Sequence, residues 1–242
     1  MPDDRGTAAA AVEFRELPLF ERAHRWRAYW TDMVRPYVGA NVLEVGAGIG
    51  SATAELATGA VRRWICLEPD AENFRRLDSK VKSGRLPSQC TCIHGDLRSI
   101  DANERFDTIL YIDVLEHISD DAAELALAAE RLDPDGMLIV LSPAHQMLYT
   151  EFDRAIGHFR RYSRSSLLAA APRTLAPVRT FYLDSVGMAA SLGNRLLMHA
   201  AEPPEWSIRL WDGLFVPASR AVDKVLLHAV GKTVVGVWRR SA

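Results

Sequence analysis

Cysteine is scarce in this chain: Cys66, Cys90 and Cys92 are the three among 242 residues. An odd count excludes a fully paired disulfide framework, and a chain of this length buries enough surface to need none. Cys90, Cys92 and His94 share one face of a short apolar run, but their spacing matches no zinc pattern. Buried thiols are expected there, and no metal. Long hydrophobic runs are missing too. The best candidate, "SVGMAASLGNRLLMHAA" (185–201), contains Arg195 and His199. Its Val186, Ala189, Ala190, Gly193, Leu197 and Ala200 recur at helical spacing, which reads as one buried face and no integral membrane segment. Neither sign of charge dominates. Lys and Arg total 29 against 31 acids, a formal charge of −2, so no global basic field exists and no nucleic-acid partner is expected. The start "MPDDRGTAAA" has two acids and no apolar segment, so no secretory leader is expected and the cytoplasm is the expected location.

What is present is an alternation. After Gly39 come short apolar runs at 41–45, 63–68, 90–94, 106–113 and 136–142, with helix candidates at 51–59, 70–82 and 120–132 between them. This pattern predicts βαβ units and a parallel sheet covered on both faces. Two later runs, 178–184 and 231–240, predict a closing antiparallel hairpin interrupted by a long insertion, and connections of that length are usually functional. Residues 13–37 read as a helical N-terminal cap, 41–142 as a cofactor-binding core, and 143–165 with 185–230 as an acceptor-side lid and insertion, all within one domain spanning 1–242.

The stretch "VLEVGAGIG" (42–50) places three glycines where the first strand turns into the first helix. Glycine there permits positive φ and close approach of a ligand, and the helix start offers free N–H groups. The dinucleotide fingerprint would need a third glycine at position 51, which is Ser51. An acid about 20 residues on is present as Glu68, and its carboxylate suits a ribose diol in either nucleotide class.

The ordered set "VLEVGAGIG", "CLEPD", "HGDL", "FDTILYIDVLEHISDD" and "LDPDGMLIVLSPA" resembles the successive motifs of class I S-adenosylmethionine-dependent methyltransferases. The resemblance covers 41–145 in order and spacing. It implies a Rossmann-like, seven-stranded, mostly parallel sheet with an antiparallel last strand, S-adenosylmethionine as cofactor, and a small-molecule acceptor. By the same resemblance Glu44 holds the methionine end or the loop, and Gly46, Ala47, Gly48 and Gly50 let the backbone pass the cofactor. Glu68, followed by Pro69, takes the ribose hydroxyls. Asp96 accepts from the adenine amino group with the Leu97 N–H on the ring, and Asp113 with Val114 closes the pocket.

On the acceptor side, His117 and His145 follow the fourth and fifth strands and are candidate proton acceptors, since imidazole titrates near neutrality. A structural or cofactor-shell role for His117 and a solvated-loop role for His145 stay open. The phrase "EFDRAIGHFRRYSRSSL" (151–167) resembles a subgroup of bacterial small-molecule methyltransferases with D-x-x-x-G-H-x-R-R-Y at Asp153, Gly157, His158, Arg160, Arg161 and Tyr162. At helical geometry adjacent arginines point about 100° apart. Either the arginines pair internally, for example with Asp153, and latch the lid in shape, or one pairs with Asp153 and the other meets a carboxylate or phosphate on the acceptor. Tyr29, Tyr149, His158, Arg160 and Arg161 are the candidate substrate contacts, and Trp206, Trp211 and Phe215 candidate apolar walls. The expected reaction is methyl transfer to oxygen or nitrogen of a small metabolite. The rivals are an NAD-dependent or nucleotide-sugar oxidoreductase and a catalytically silent cofactor-binding partner subunit.

Overall fold

The computed structural model describes residues 22–197 and 205–241. The first part of the expected cap, 13–21, and residues 198–204 of the expected insertion, including His199, lie outside the described residues. The elements in chain order are α1 (His24–Val34), β1 (Asn41–Val45), α2 (Ser51–Leu56), β2 (Arg63–Glu68), α3 (Ala71–Lys82), β3 (Cys90–His94), β4 (Phe106–Ile112) and α4 (Asp121–Arg131). Then follow β5 (Leu132–Pro143), α5 (Glu151–Ala155), α6 (Arg164–Ala170), β6 (Leu175–Leu183), α7 (Ser185–Leu197), α8 (Glu205–Leu210), α9 (Val216–Val225) and β7 (Thr233–Arg240).

The strands form one sheet in the order β3-β2-β1-β4-β5-β7-β6. β7 runs antiparallel to both β5 and β6, and the other pairings are parallel. This is the Rossmann-like sheet expected, with the insertion between the last two strands. Side chains alternate along each strand, so Val42, Trp64, Leu110 and Ile139 face one apolar layer and Leu43, Ile65, Ile109 and Leu138 the other. Because both faces are covered, the central strands read as continuous hydrophobic runs.

Local chemistry sets the helix starts. Asp70 accepts from the N–H groups of Glu72 and Asn73 to begin α3, and Asp120 accepts from Ala123 to begin α4. Thr150 and Asp153 form a reciprocal capping box on α5, and Ser163 with Ser166 does the same on α6. Helix α1 has no cap of its own. Asp212, from the irregular turn joining α8 to α9, accepts from the Trp26 and Arg25 N–H groups at 2.8 and 3.3 Å. Tyr29 on α1 donates to Asp223 on α9 at 2.8 Å, and Asp223 also accepts from the Asp184 and Ser185 N–H groups. The insertion and the cap helix are therefore bound to each other over the carboxyl edge of the sheet.

Candidate active site

The strand order reverses between β1 and β4, the place where open α/β sheets leave a crevice. A cavity of about 470 Å³ opens there. One end is the glycine loop. Gly46, Gly48 and Gly50 all have positive φ, at 67°, 57° and 82°. A side chain on Gly46 would come within 2.5 Å of Val114, so that glycine also sets the spacing between the β1 and β4 exits. Glu68 organises the loop: one carboxylate oxygen accepts from the Gly48 N–H at 2.6 Å and the other from the Asp70 N–H at 2.9 Å. Through these two bonds Glu68 ties the loop to the start of α3 and lines the cavity beside it. Glu44 lies beneath, accepting from the Thr53 hydroxyl at 2.5 Å and the Trp64 indole at 2.8 Å. Burial pushes its carboxyl up to about 7, against the pull of those two hydrogen bonds.

Asp113 leaves β4 with φ 54° and faces the cavity. The residue is open to solvent through the cavity, and desolvation by the surrounding walls raises its carboxyl to about 7 while the charge of Lys232 acts to lower it. Lys232, just before β7, also lines the cavity. Its ammonium lies 4.0 Å from the Trp211 ring centroid and 3.5 Å from Asp184, and burial lowers its pKa.

The far end of the cavity is made by the G-H-F-R-R-Y segment folding back along β5. The Phe159 N–H donates to the Glu116 carbonyl at 2.8 Å, and the Tyr162 N–H to the Pro143 carbonyl at 3.0 Å. These bonds bring His158 edge-on to His117, with ring centroids 4.5 Å apart. The His158 Nδ1 is 3.0 Å from Asp153 Oδ1, and Asp153 is also gripped by Arg161 through Nε at 2.8 Å and a terminal nitrogen at 3.0 Å. Burial acts to raise the Asp153 carboxyl, but the bonds from His158 and Arg161 outweigh it and hold the group well below the usual carboxylate range. His117 is pushed down to about 4 by burial and by His158, so it is neutral at pH 7. Glu116 is fully buried, accepts from the Ser142 hydroxyl at 2.8 Å, and is raised by burial and by Asp113. Trp26, Trp30, Trp211, Phe152 and Ile156 supply apolar wall.

Of the residues singled out from the sequence, Glu44, Gly46, Ala47, Gly48, Glu68, Pro69, Asp113, Val114, His117, His158 and Arg161 line this cavity. The others do not. Gly50 caps α2, and a side chain there would press on Leu77 and Leu86. Asp96 caps the short turn at 97–99 by accepting from the Arg98 N–H, and Leu97 is buried in the apolar layer. His145 stacks on Tyr182 at 4.8 Å, away from the cavity lining, with Nε2 buried and unpartnered among the described residues. Tyr29 is spent on Asp223, and Tyr149 donates to the His158 carbonyl at 2.7 Å. Arg160 pairs with Asp121 at 2.6 Å and with the Ser119 carbonyl at 2.7 Å. Both arginines are thus held internally, and the expectation that one of them is left over for an acceptor anion is corrected: the segment turns sharply at Gly157, φ 87°, and is not helical. Of the three insertion aromatics, Trp211 reaches the cavity, whereas Trp206 is 65% exposed and Phe215 packs against the core.

Glu116 and Lys232 were passed over in the sequence. Glu116 stands inside the conspicuous "DVLEH", where its own side chain gave no sign of facing a ligand. Lys232 follows the insertion and is brought to the cavity by antiparallel pairing alone.

Residues 42–136 match the family described as "Methyltransferase domain". A ubiquinone biosynthesis O-methyltransferase of Paramagnetospirillum magneticum is 32% identical over 145 residues, covering 57% of this chain and 55% of that protein. A demethylmenaquinone methyltransferase of Tropheryma whipplei is 29% identical over 138 residues, covering 53% and 52%. The chain thus spans about half the length of these curated relatives, or less: 39% of a Rhodopseudomonas palustris ubiquinone biosynthesis O-methyltransferase. Among solved structures, the N-methyltransferase NodS of Bradyrhizobium japonicum WM9 with S-adenosyl-L-homocysteine aligns with a TM-score of 0.58 at 14% identity, over 92% of this chain and 88% of that one. Coclaurine N-methyltransferase bound to N-methylheliamine and S-adenosylhomocysteine aligns at 0.60 and 15% identity, over 88% and 71%. At these identities the structures share the fold. No described helix is long and apolar enough to cross a membrane.

Proposed function

We propose that the chain is a class I S-adenosylmethionine-dependent methyltransferase that transfers a methyl group to an oxygen or nitrogen of a small acceptor seated at the aromatic end of the cavity. The observation that carries this reading is the continuity of one cavity from the glycine loop and Glu68 to the chamber walled by Trp26, Trp30 and Trp211. A donor and an acceptor held at its two ends would face each other within one enclosed space.

The residues present fit the cofactor. The glycine loop offers backbone at positive φ, Glu68 lines the cavity beside it with a carboxyl of the kind that accepts from a ribose diol, and Glu44 and Asp113 place carboxyl groups where a sulfonium and an ammonium would be received. When bound, S-adenosylmethionine supplies an electrophilic methyl group on sulfur for in-line displacement. The protein's part is alignment and exclusion of water, by the tryptophan walls and the insertion closed over α1. His117, neutral at pH 7, offers a lone pair toward the acceptor but is a weak base with its pKa near 4. His145 is dropped as a base because it does not line the cavity. The curated relatives named as ubiquinone biosynthesis O-methyltransferases, together with the aromatic walls, favour an aromatic hydroxyl as the acceptor.

Calorimetry with S-adenosylhomocysteine and with NAD tests the cofactor. Transfer of a labelled methyl group to a panel of phenols and aromatic amines tests the reaction. Micromolar S-adenosylhomocysteine binding and label on a phenolic oxygen are expected. Tight NAD binding with none of S-adenosylhomocysteine overturns the reading in favour of an oxidoreductase. Cofactor binding with no transfer to any acceptor favours the silent partner subunit.

A further inference from the structure

The chamber beside His117 holds a buried carboxyl group with one oxygen unpartnered among the described residues. Glu116 has no solvent exposure, its Oε2 accepts from Ser142, and its Oε1 has no hydrogen-bond partner among the described residues. A buried carboxylate oxygen left bare is costly, and native structures normally supply it with a donor or a cation. The neighbouring cations are already engaged: Arg161 by Asp153 and Lys232 by Asp184.

Two imidazoles face that oxygen. The atoms that Glu116, His117 and His158 can offer to a metal all lie within 4.8 Å of one another. His158 Nε2 is 3.9 Å from Glu116 Oε1, too far for a hydrogen bond. Its other nitrogen, Nδ1, is turned to Asp153 Oδ1 at 3.0 Å, and Arg161 fixes that carboxylate by donating to both of its oxygens. A histidine that gives Nδ1–H to a buried carboxylate presents the Nε2 lone pair outward, the arrangement that metal-binding histidines use. Gly157 supplies the φ of 87° at which the segment turns to bring His158 against His117.

We propose that Glu116, His117 and His158 form a binding site for one divalent transition ion, with Asp153 and Arg161 as its outer support. Two nitrogens and one carboxylate oxygen suit Zn²⁺ or Fe²⁺ better than Mg²⁺, which takes oxygen ligands. Ligand atoms around a tetrahedral zinc stand about 3.4 Å apart. Closing the site from its present spread therefore requires side-chain rotations that move atoms by about an ångström. Three protein ligands leave the ion with an open position toward the cavity. On the methyl-transfer reading, that position would take the acceptor oxygen and favour its ionised form. The role in methyl transfer rests on that reading, whereas the ion site stands on the side-chain geometry alone.

The test uses the untagged protein, stripped with a chelator. Co²⁺ is titrated by visible absorption and Zn²⁺ by competition and calorimetry, with S-adenosylhomocysteine affinity measured in parallel. One ion per chain is expected. Glu116→Gln and, separately, His158→Gln should each weaken binding roughly a hundredfold or more, since even outer partners are worth ten- to a hundredfold. Each metal-free variant should keep a cooperative melt, and His117→Gln serves in place of either one that does not. Cys92→Ser with His94→Gln, which removes the rival thiol and imidazole on β3, should leave the affinity unchanged. The proposal is overturned if the wild type binds no ion tighter than about 10 µM, or if binding survives Glu116→Gln and His158→Gln but is lost with the β3 pair. Intact S-adenosylhomocysteine binding with no ion sinks the metal site and spares the methyltransferase reading. Ion binding without S-adenosylhomocysteine binding does the reverse.

Discussion

At the glycine-loop end of the cavity the protein presents backbone, and at the far end it presents side chains clamped by other side chains. Gly46 and Gly48 shape the first end through φ angles, and one acid, Glu68, holds the loop through two N–H groups. The second end has no such frame. His158 is aimed by Asp153, Asp153 by Arg161, and the segment that carries them is pinned to β5 and to the Glu116 carbonyl by backbone bonds spanning up to 43 residues. A ligand common to a whole fold can be met by backbone, which every sequence possesses. A particular acceptor needs particular side chains, and those need their own supports. The two ends should therefore fail differently when broken.

The largest effect is expected from Asp153→Ala. It strips the partner from Arg161 and His158 in a buried setting, and breaking such a pair costs about 3–5 kcal/mol. Urea unfolding should show that loss while the folded fraction binds S-adenosylhomocysteine as before. A loss below about 1 kcal/mol would mean that the far end does not depend on this clamp.

Glu44→Gln is expected next, and only at the cofactor end. The Glu44 carboxyl sits at about 7 when folded against an ordinary value of 4.5. The folded state therefore holds the proton that the unfolded chain has already released, and stability falls as pH rises from about 4.5 to about 7. Above that window the wild type carries the full penalty, up to about 2–3 kcal/mol. Glutamine does not titrate. The stability difference between variant and wild type should therefore move in the variant's favour across this window and level off above pH 8. Melting curves from pH 5 to 8 would show it, and parallel curves for the two proteins would contradict the burial argument.

Glu68→Ala should cost about 1.5–3 kcal/mol in S-adenosylhomocysteine affinity, roughly ten- to a hundredfold, by removing a charged acceptor. Calorimetry should place the loss in cofactor binding, with ion binding at the far end unaltered. The smallest effect belongs to Arg160→Ala. Its pair with Asp121 is partly exposed, with side chains 29% and 18% accessible, and such pairs contribute up to about 1 kcal/mol. A slightly lowered melting temperature with unchanged acceptor KM is expected. A raised KM would return Arg160 to the acceptor site.

The sequence by itself determined the sheet, the glycine loop and the Glu68 position. Those depend on local rules: strand runs alternate with amphipathic helices, glycine marks positive φ, and an acid near the end of the second strand falls beside the loop. The same rules also pointed to residues that do not line the cavity and make other contacts: Asp96 accepts from the Arg98 N–H, Gly50 lies against Leu77 and Leu86, and His145 stacks on Tyr182. Tertiary structure alone decided the far end. The motif suggested a partner for Asp153, but nothing in "GHFRRY" says that it folds back to set His158 beside His117, or that Arg160 finds Asp121. Nothing in "GKTVV" says that an antiparallel last strand delivers Lys232 over Trp211. Contacts between residues tens of positions apart follow from packing and ion-pair geometry in three dimensions, and the short-range periodicities of a sequence do not encode them.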